Sequence, residues 1–153
     1  MSNNILQLDE KSVDEFCHLR IELLEELCEI HKGRDITELK SAINKYYMSH
    51  INKDLLCWGV FQERQLVSIG SLCLFSRIPY EENYSGLEGY ILNIYTLPVY
   101  RKRGFASQIL DTIIEYSKKN QIKRLWLNSS ENGEKLYVQR GFLNKVNEME
   151  LFL

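Results

Sequence analysis

Apolar residues recur along this chain with two different periods, and each change of period marks a new element. Ile5-Leu6-Gln7-Leu8 is a short strand candidate. From Val13 the spacing turns helical: Val13, Phe16, Leu23, Leu24, Leu27 and Ile30 share a face behind a Ser12/Glu15 capping box, and Gly33 stands as the stop. A second helix over residues 35–51 gathers Ile36, Leu39, Ile43, Tyr46 and Tyr47 on one side. The period then falls to two. Residues 55–61 and 66–75 read as strands joined by the polar turn Gln62-Glu63-Arg64-Gln65, hence a hairpin. A loop over 76–89 contains Pro79, Gly86 and Gly89, followed by a strand over 90–97. A helix over 104–119 buries Phe105, Ile109, Ile113 and Tyr116, with Ala106, Leu110 and Ile114 widening the stripe. A strand over 124–128, a short helix over 134–140 ended by Gly141, and a final strand over 146–153 complete the chain. The order β-α-α-β-β-β-α-β-α-β predicts an α/β (α+β) fold, a mixed central sheet with helices on its faces.

At 153 residues the chain fits one domain, 1–153, with one sizeable core. Hydrophobic residues at 44% and charged residues at 26% argue against disorder. A formal charge of −2 argues against a general nucleic-acid binder, which needs a basic face. No apolar stretch is long enough to span a bilayer, and the N-terminus lacks a signal-peptide pattern. Cys17, Cys28, Cys57 and Cys73 form no C-x-x-C pair, which fits reduced thiols and a cytoplasmic protein without membrane partners. His18, His31 and His50 show no ligand spacing, so no metal is expected. Trp58 and Trp126 lie in strands and read as core.

One stretch carries chemistry. The strand over 90–97 stops at Pro98, a basic segment Arg101-Lys102-Arg103 leads to Gly104, and an amphipathic helix follows. The first N–H groups of a helix have no internal partners, and the helix dipole places partial positive charge there. A phosphate or pyrophosphate suits such a site, and Gly104 lets the backbone approach it closely. Neither G-x-x-x-x-G-K-[ST] nor G-x-G-x-x-G is present, which removes the main support for a nucleotide-binding module.

The motif R-x-x-G-x-A (Arg101, Gly104, Ala106) precedes a further strand and then Leu136-Tyr137-x-x-x-Gly141-Phe142. Together with Asn93-Ile94-Tyr95-Thr96-Leu97-Pro98 before the turn, and Ser129-Ser130-Glu131-x-Gly133 through Asn147-Glu148-Met149 after it, this order resembles the GNAT superfamily of N-acetyltransferases over essentially the whole chain. The resemblance implies a mostly antiparallel sheet and acetyl-CoA as cosubstrate. It makes Lys102, Arg103, Gly104, Phe105, Ala106 and Ser107 the pyrophosphate loop, and Ile94, Tyr95 and Thr96 the strand beside the pantetheine arm. The two parallel strands, 90–97 and 124–128, are then expected to splay apart, with a bulge. Ser130 falls where the family commonly has Asn, with Asn128 or Asn132 as substitutes. The implied reaction is direct attack of an amine on the thioester, with Tyr137 as general acid to the departing thiolate. A phenol pKa of roughly 10 against roughly 8.5 for a thiol leaves that transfer feasible.

Glu88, just before the cofactor strand, is either a base or substrate clamp or simply a loop carboxylate in water. With Glu81 and Glu82 it makes the loop acidic, which suits a cationic amine. Tyr137 has its own alternative as a core aromatic near Phe142. The competing function is a catalytically silent CoA-binding sensor or regulatory domain. The acceptor, a small-molecule or peptide amine, is not specified by any motif. The last strand, with Met149-Glu150-Leu151-Phe152-Leu153 apolar and at an edge, points to a homodimer.

Overall fold

The computed structural model describes residues 5–153. In chain order the elements are β1 (Ile5–Gln7), α1 (Val13–Glu26), α2 (Thr37–His50), β2 (Leu55–Gln62), β3 (Gln65–Ser76), β4 (Leu87–Thr96), α3 (Phe105–Lys119), β5 (Arg124–Trp126) and α4 (Glu134–Val138). The strands form one sheet in the order β1-β2-β3-β4-β5, antiparallel except for the parallel β4–β5 pair. The architecture is thus the mixed, helix-flanked sheet that the element order predicts, and mostly antiparallel as the resemblance implies.

Side-chain alternation along β3 sorts the helices onto two faces. Gly70 and Leu72 look toward α3. A Cβ on Gly70 would lie 2.4 Å from Ile109 Cγ2 and 2.6 Å from Ile94 Cδ1, so the close approach of helix to sheet excludes any side chain there. Ser71 and Cys73 look the other way, where Tyr46 of α2 reaches Cys73. Ile109, Leu110 and Ile113 of α3 are fully buried. On the opposite face, Tyr47 anchors α2: its ring packs 4.6 Å from that of Phe16, and its hydroxyl donates to the Asp9 carbonyl at 2.7 Å. The rest of that helical face is less committed than its period suggests. Leu39 and Tyr46 are exposed, and Ile36 and Ile43 are half-buried, because α2 meets the body of the protein chiefly through Tyr47.

Element ends differ from the sequence reading for local reasons. Ser12 makes no side-chain cap. Instead a 3-10 turn at Glu10–Ser12 precedes α1, and Asp9 accepts the Lys11 N–H at 2.9 Å. α1 stops at Glu26, short of Ile30 and Gly33. The Cys28 N–H donates to Glu25 O (3.0 Å) and the Glu29 N–H to Leu24 O (2.9 Å), with Cys28 at φ +57°. This is a Schellman closure with cysteine in the left-handed position that glycine usually takes. α3 ends the same way, with Gln121 at φ +57° and the Ile122 N–H donating to Ser117 O at 2.9 Å. The β2–β3 hairpin turns on Glu63 and Arg64, both at positive φ, as a two-residue hairpin requires.

Two larger departures concern β4 and the C-terminal residues. β4 begins at Leu87 rather than 90, because Leu87, Glu88 and Gly89 pair with Ser76, Phe75 and Leu74 of β3. Glu88 is therefore a strand residue and not a loop carboxylate. The strand expected over 146–153 does not form, and β5 stops at Trp126 instead of 128. The alternating pattern is present in 146–153, but a strand also needs to pair with an edge, and among the described residues no backbone hydrogen bond joins this segment to the sheet.

Relief of left-handed strain gives a direct test of these helix ends. Gln121→Gly is expected to stabilise the fold by about 0.5–1 kcal/mol, the αL penalty of a side chain less the extra entropy of an unfolded glycine. A raised midpoint in urea with an unchanged slope is the expected result.

Candidate functional site

β4 and β5 pair only over Glu88–Tyr90 with Arg124–Trp126. Beyond Tyr90 the strands part, and the β5-facing edge of β4 runs on to Thr96 with no strand beside it. A bulge accompanies the parting. The register against β3 shifts between Ile69 and Ser71, and Asn93 takes a left-handed conformation at φ +61°. From Thr96 the chain passes through a 3-10 turn at Pro98–Tyr100 to the basic turn, where Lys102 (φ +60°) and Gly104 (φ +80°) are both left-handed. The N–H groups of Phe105, Ala106 and Ser107 find no acceptor among the described residues. The Gln108 N–H is bonded, to Gly104 O at 3.0 Å. Uncapped N–H groups, the positive end of a 15-residue helix and a glycine at position 104, where the nearest atom to a Cβ would be the Gln108 side-chain amide at 3.4 Å, together make an anion cradle.

A notch of about 490 Å³ follows this path. Ile94, Tyr95 and Thr96 line it from β4, and Lys102, Gly104, Phe105, Ala106 and Ser107 from the turn and α3. Ser130, Asn132 and Tyr137 also line it, whereas Asn128 lies outside, in a neighbouring groove. Arg103 is the sequence-derived binding residue that does not line the notch. Its guanidinium donates back to Val99 O at 3.3 Å and lies over the Tyr100 ring. Arg101 is committed elsewhere too: it donates to Thr96 O at 2.9 Å, pairs with Glu26 and covers Tyr95. Among the three basic residues, Lys102 alone keeps an ammonium group with no partner among the described residues.

Tyr137 stands where the notch meets that second groove, a cavity of about 1090 Å³ along β5. Its ring packs edge-on to Phe142 at 5.8 Å between centroids. Burial, and then the neighbouring Tyr90, push its pKa above the ordinary phenol value. The side chain therefore keeps its proton through the whole neutral range.

Glu88 lies away from the notch. Its side chain is 1% exposed, and three donors hold it: Tyr80 Oη at 2.8 Å, Arg77 Nε at 2.8 Å and Arg124 Nη1 at 3.0 Å. Burial pushes its pKa up, but the Tyr80 hydrogen bond and the two arginines outweigh it, and the net shift is downward. A carboxylate so stabilised is a poor proton acceptor. Its charge is also cancelled locally, which leaves only Glu81 and Glu82 of the supposed acidic loop.

The motif reading missed Arg20 and the geometry of Asn93. Arg20 of α1 is half-buried and donates to Asn93 Oδ1 at 3.3 Å, and no carboxylate lies within 4 Å of it among the described residues. Burial lowers its pKa, with Glu29 acting in the opposite sense. Asn93 Nδ2 is buried without a partner. Asparagine inside a strand, where it is uncommon, was the one available signal for the bulge.

The Glu88 cluster yields a pH-dependent prediction. A carboxylate with a depressed pKa contributes stability above its unfolded pKa, near 4.5, and loses it as pH falls through the folded value. Glu88→Gln is expected to cost about 1.5–3 kcal/mol at pH 7, after allowance for the half-exposed Arg77. That cost should shrink as pH drops below 4.5, measured by urea unfolding of both proteins across the range.

Among the described residues, no three His, Cys, Asp or Glu side chains cluster as metal ligands, and no helix is long and apolar enough to cross a membrane. No curated protein sequence matches the chain. Solved structures do. A predicted acetyltransferase from Clostridium acetobutylicum, determined with acetyl-CoA, aligns over 97% of this chain and 95% of its own at 25% identity, TM-score 0.87. A GCN5-related N-acetyltransferase from Ralstonia eutropha aligns over 98% and 97% at 19% identity, TM-score 0.84. Ribosomal-protein-alanine N-acetyltransferase from Brucella melitensis aligns over the full length of both chains at 16% identity, TM-score 0.76, a likeness of fold. The model of the acetyltransferase (GNAT) family matches residues 20–142, which include the parted strands, the basic turn and Tyr137, and the chain belongs to that family.

Proposed function

We propose that residues 1–153 act as one acetyltransferase domain that moves an acetyl group from acetyl-CoA to a primary amine. The observation that carries this reading is the continuity of the notch. An unpaired strand edge leads directly into an uncapped helix N-terminus, with a protonated tyrosine at the margin. Pantetheine is an extended chain with two amides, and it can pair with Ile94–Thr96 as an added strand would. The pyrophosphate then falls at the N–H groups of Phe105, Ala106 and Ser107 with Lys102 beside it. Arg103 serves the turn from outside the notch. Ser130 and Asn132 supply polar contacts from the other side.

In the proposed reaction a neutral amine attacks the thioester carbon. The C–N bond forms, the C–S bond breaks, and the amine proton passes to solvent or a base. Tyr137 gives its proton to the departing thiolate sulfur. The high phenol pKa keeps this donor form populated at neutral pH. The geometry does not favour Glu88 as the base, because all three of its neighbours are donors that stabilise its charge. On the α1 side of β4, Arg20 is the charge near the bulge, so amines bearing an acidic group belong in any acceptor panel beside cationic ones. A cytoplasmic setting, where acetyl-CoA is abundant, completes the reading.

Two experiments test it. Acetyl-CoA at about 100 times its dissociation constant should stabilise the protein by about 2.7 kcal/mol, seen as a raised melting temperature. Gly104→Asp places a carboxylate in the cradle, against the phosphate charge, and should abolish that shift. No shift with the wild type at millimolar acetyl-CoA would count against the cradle. Tyr137→Phe keeps the ring and removes the acid, so kcat should fall roughly 10²–10⁴-fold with little change in acetyl-CoA affinity. Undiminished turnover would return Tyr137 to a packing role, and absence of turnover with any amine would favour a CoA-binding sensor.

A further inference from the structure

The wall of the notch opposite β4 comes from α1, and the two elements converge at both ends. Leu23, Glu26 and Leu27, from the last turn of α1 and its cap, line the notch. Near Thr96, Glu26 pairs with Arg101, which also donates to the Thr96 carbonyl at 2.9 Å. Arg20 lies one turn before Leu23 on the same face of α1, and it meets Asn93, the residue before Ile94 on β4. The stretch of β4 from Thr96 back to Asn93 is thus matched by the stretch of α1 from Glu26 back to Arg20. The cradle at α3 stands at one end of this path and the Arg20–Asn93 pair at the other.

Both members of that pair hold donors in reserve. A guanidinium carries five N–H groups, and the side-chain hydrogen bond of Arg20 among the described residues is the one to Asn93 Oδ1 at 3.3 Å. A cation drawn partly out of water normally has a carboxylate beside it, and Arg20 has none within 4 Å. Arginine offers only donors, so Asn93 must turn its oxygen toward Arg20, which leaves Nδ2 alongside as a second donor. Asn93 is 5% exposed, and its Nδ2 has no partner among the described residues. One cationic donor and one buried amide donor, side by side, are complementary to the two oxygens of a carboxylate.

We propose that Arg20 and Asn93 form an anion subsite for the acceptor, so that the amine acetylated here belongs to a molecule that also carries a carboxylate. The placement rests on the acetyl-transfer reading, in which the pantetheine arm runs along Ile94–Thr96 and brings its thioester to the end away from the cradle. Tyr90 links this end to the proposed acid. Its ring lies 4.4 Å from that of Trp126, and its phenol is close enough to Tyr137 and to Arg20 to shift the pKa of each. Acid and anchor therefore flank one short stretch of β4, from Tyr90 to Asn93. An amino carboxylate held by its carboxylate at Arg20 presents its amine to that stretch, whereas a polyamine leaves the guanidinium without a counter-charge and adds a like charge beside it.

The test compares kcat/KM for β-alanine, γ-aminobutyrate and L-leucine with that for their carboxamides, in the wild type and in Arg20→Gln. Each pair differs in amine basicity, but that difference cancels when the carboxylate-to-carboxamide ratio is compared between the two proteins. Arg20→Gln should lower the ratio roughly 10–100-fold, chiefly through KM, and Arg20→Lys, which keeps the charge and loses the fork, should fall between. A ratio that Arg20→Gln leaves unchanged, even with both rates reduced, would mean that Arg20 only props the bulge, and would overturn the subsite. A titration of ¹⁵N-labelled wild type, with CoA present, needs neither turnover nor a variant. The carboxylates should shift the Arg20 Nε–H and Asn93 Nδ2 resonances, and the carboxamides should not. Those shifts without turnover would keep the subsite and sink the transfer reading. Turnover without those shifts would do the reverse, and absence of both would sink the two together.

Discussion

The parting of β4 from β5 after Tyr90 is the constraint on which the rest of the structure depends. Two parallel strands that remain paired leave no room between them, and two that never pair fix nothing. Here three residue pairs hold the strands together at one end. The bulge at Asn93 then turns β4 toward the basic turn. The open edge this creates points at the N-terminus of α3, so one backbone deviation sets both an amide-pairing surface and an anion cradle in line. α3 itself is held against the sheet by Ile109 and Ile113 over Gly70, which leaves its first turn no freedom to drift.

The charged side chains around the site are mostly structural. Arg77, Arg124 and Tyr80 converge on Glu88 at the place where β4 and β5 are still paired, and so reinforce the closed end of the fork. Arg101 ties the end of β4 to α1 through Glu26 and the Thr96 carbonyl. Arg103 folds back on its own turn. What faces the notch is the backbone N–H row, Lys102 and small polar side chains, set against an apolar wall that includes Leu23, Leu27, Ile94 and Leu136. A site built so relies on helix and strand geometry that a single side-chain substitution barely moves, apart from Gly104, whose left-handed φ suits glycine and whose lack of a side chain keeps the phosphate path clear.

The sequence was informative where local chemistry decides structure and silent where tertiary contacts do. The strand, basic turn and helix from Ile94 to Ser107 were legible, because proline, glycine and the helical stripe act over a few residues. Tyr137 was placed at the notch by its motif. Glu88 was misread as a loop residue, since its pairing with β3 and β5 and its two arginines come from distant parts of the chain. Arg20 belongs to no motif and gains meaning only beside Asn93. The end of α1 was invisible because Cys28 occupies a left-handed position that composition assigns to glycine, whereas α3 ends at Lys119, where the helical stripe places it, with Gln121 in the same left-handed position. The strand expected over 146–153 shows the limit of periodicity: alternation says that a segment suits a sheet, and only topology says whose.

The most direct test of the central claim is a titration of ¹⁵N-labelled protein with CoA, followed by amide chemical shifts. If the open edge of β4 and the start of α3 form one binding path, the largest changes will fall together at Ile94, Tyr95 and Thr96 and at Gly104, Phe105, Ala106 and Ser107. They will saturate with a single dissociation constant, and Glu88 and Arg124 at the closed end will stay nearly still. Changes confined to the groove along β5 around Trp126, or the absence of change at both strand and helix, would contradict the account.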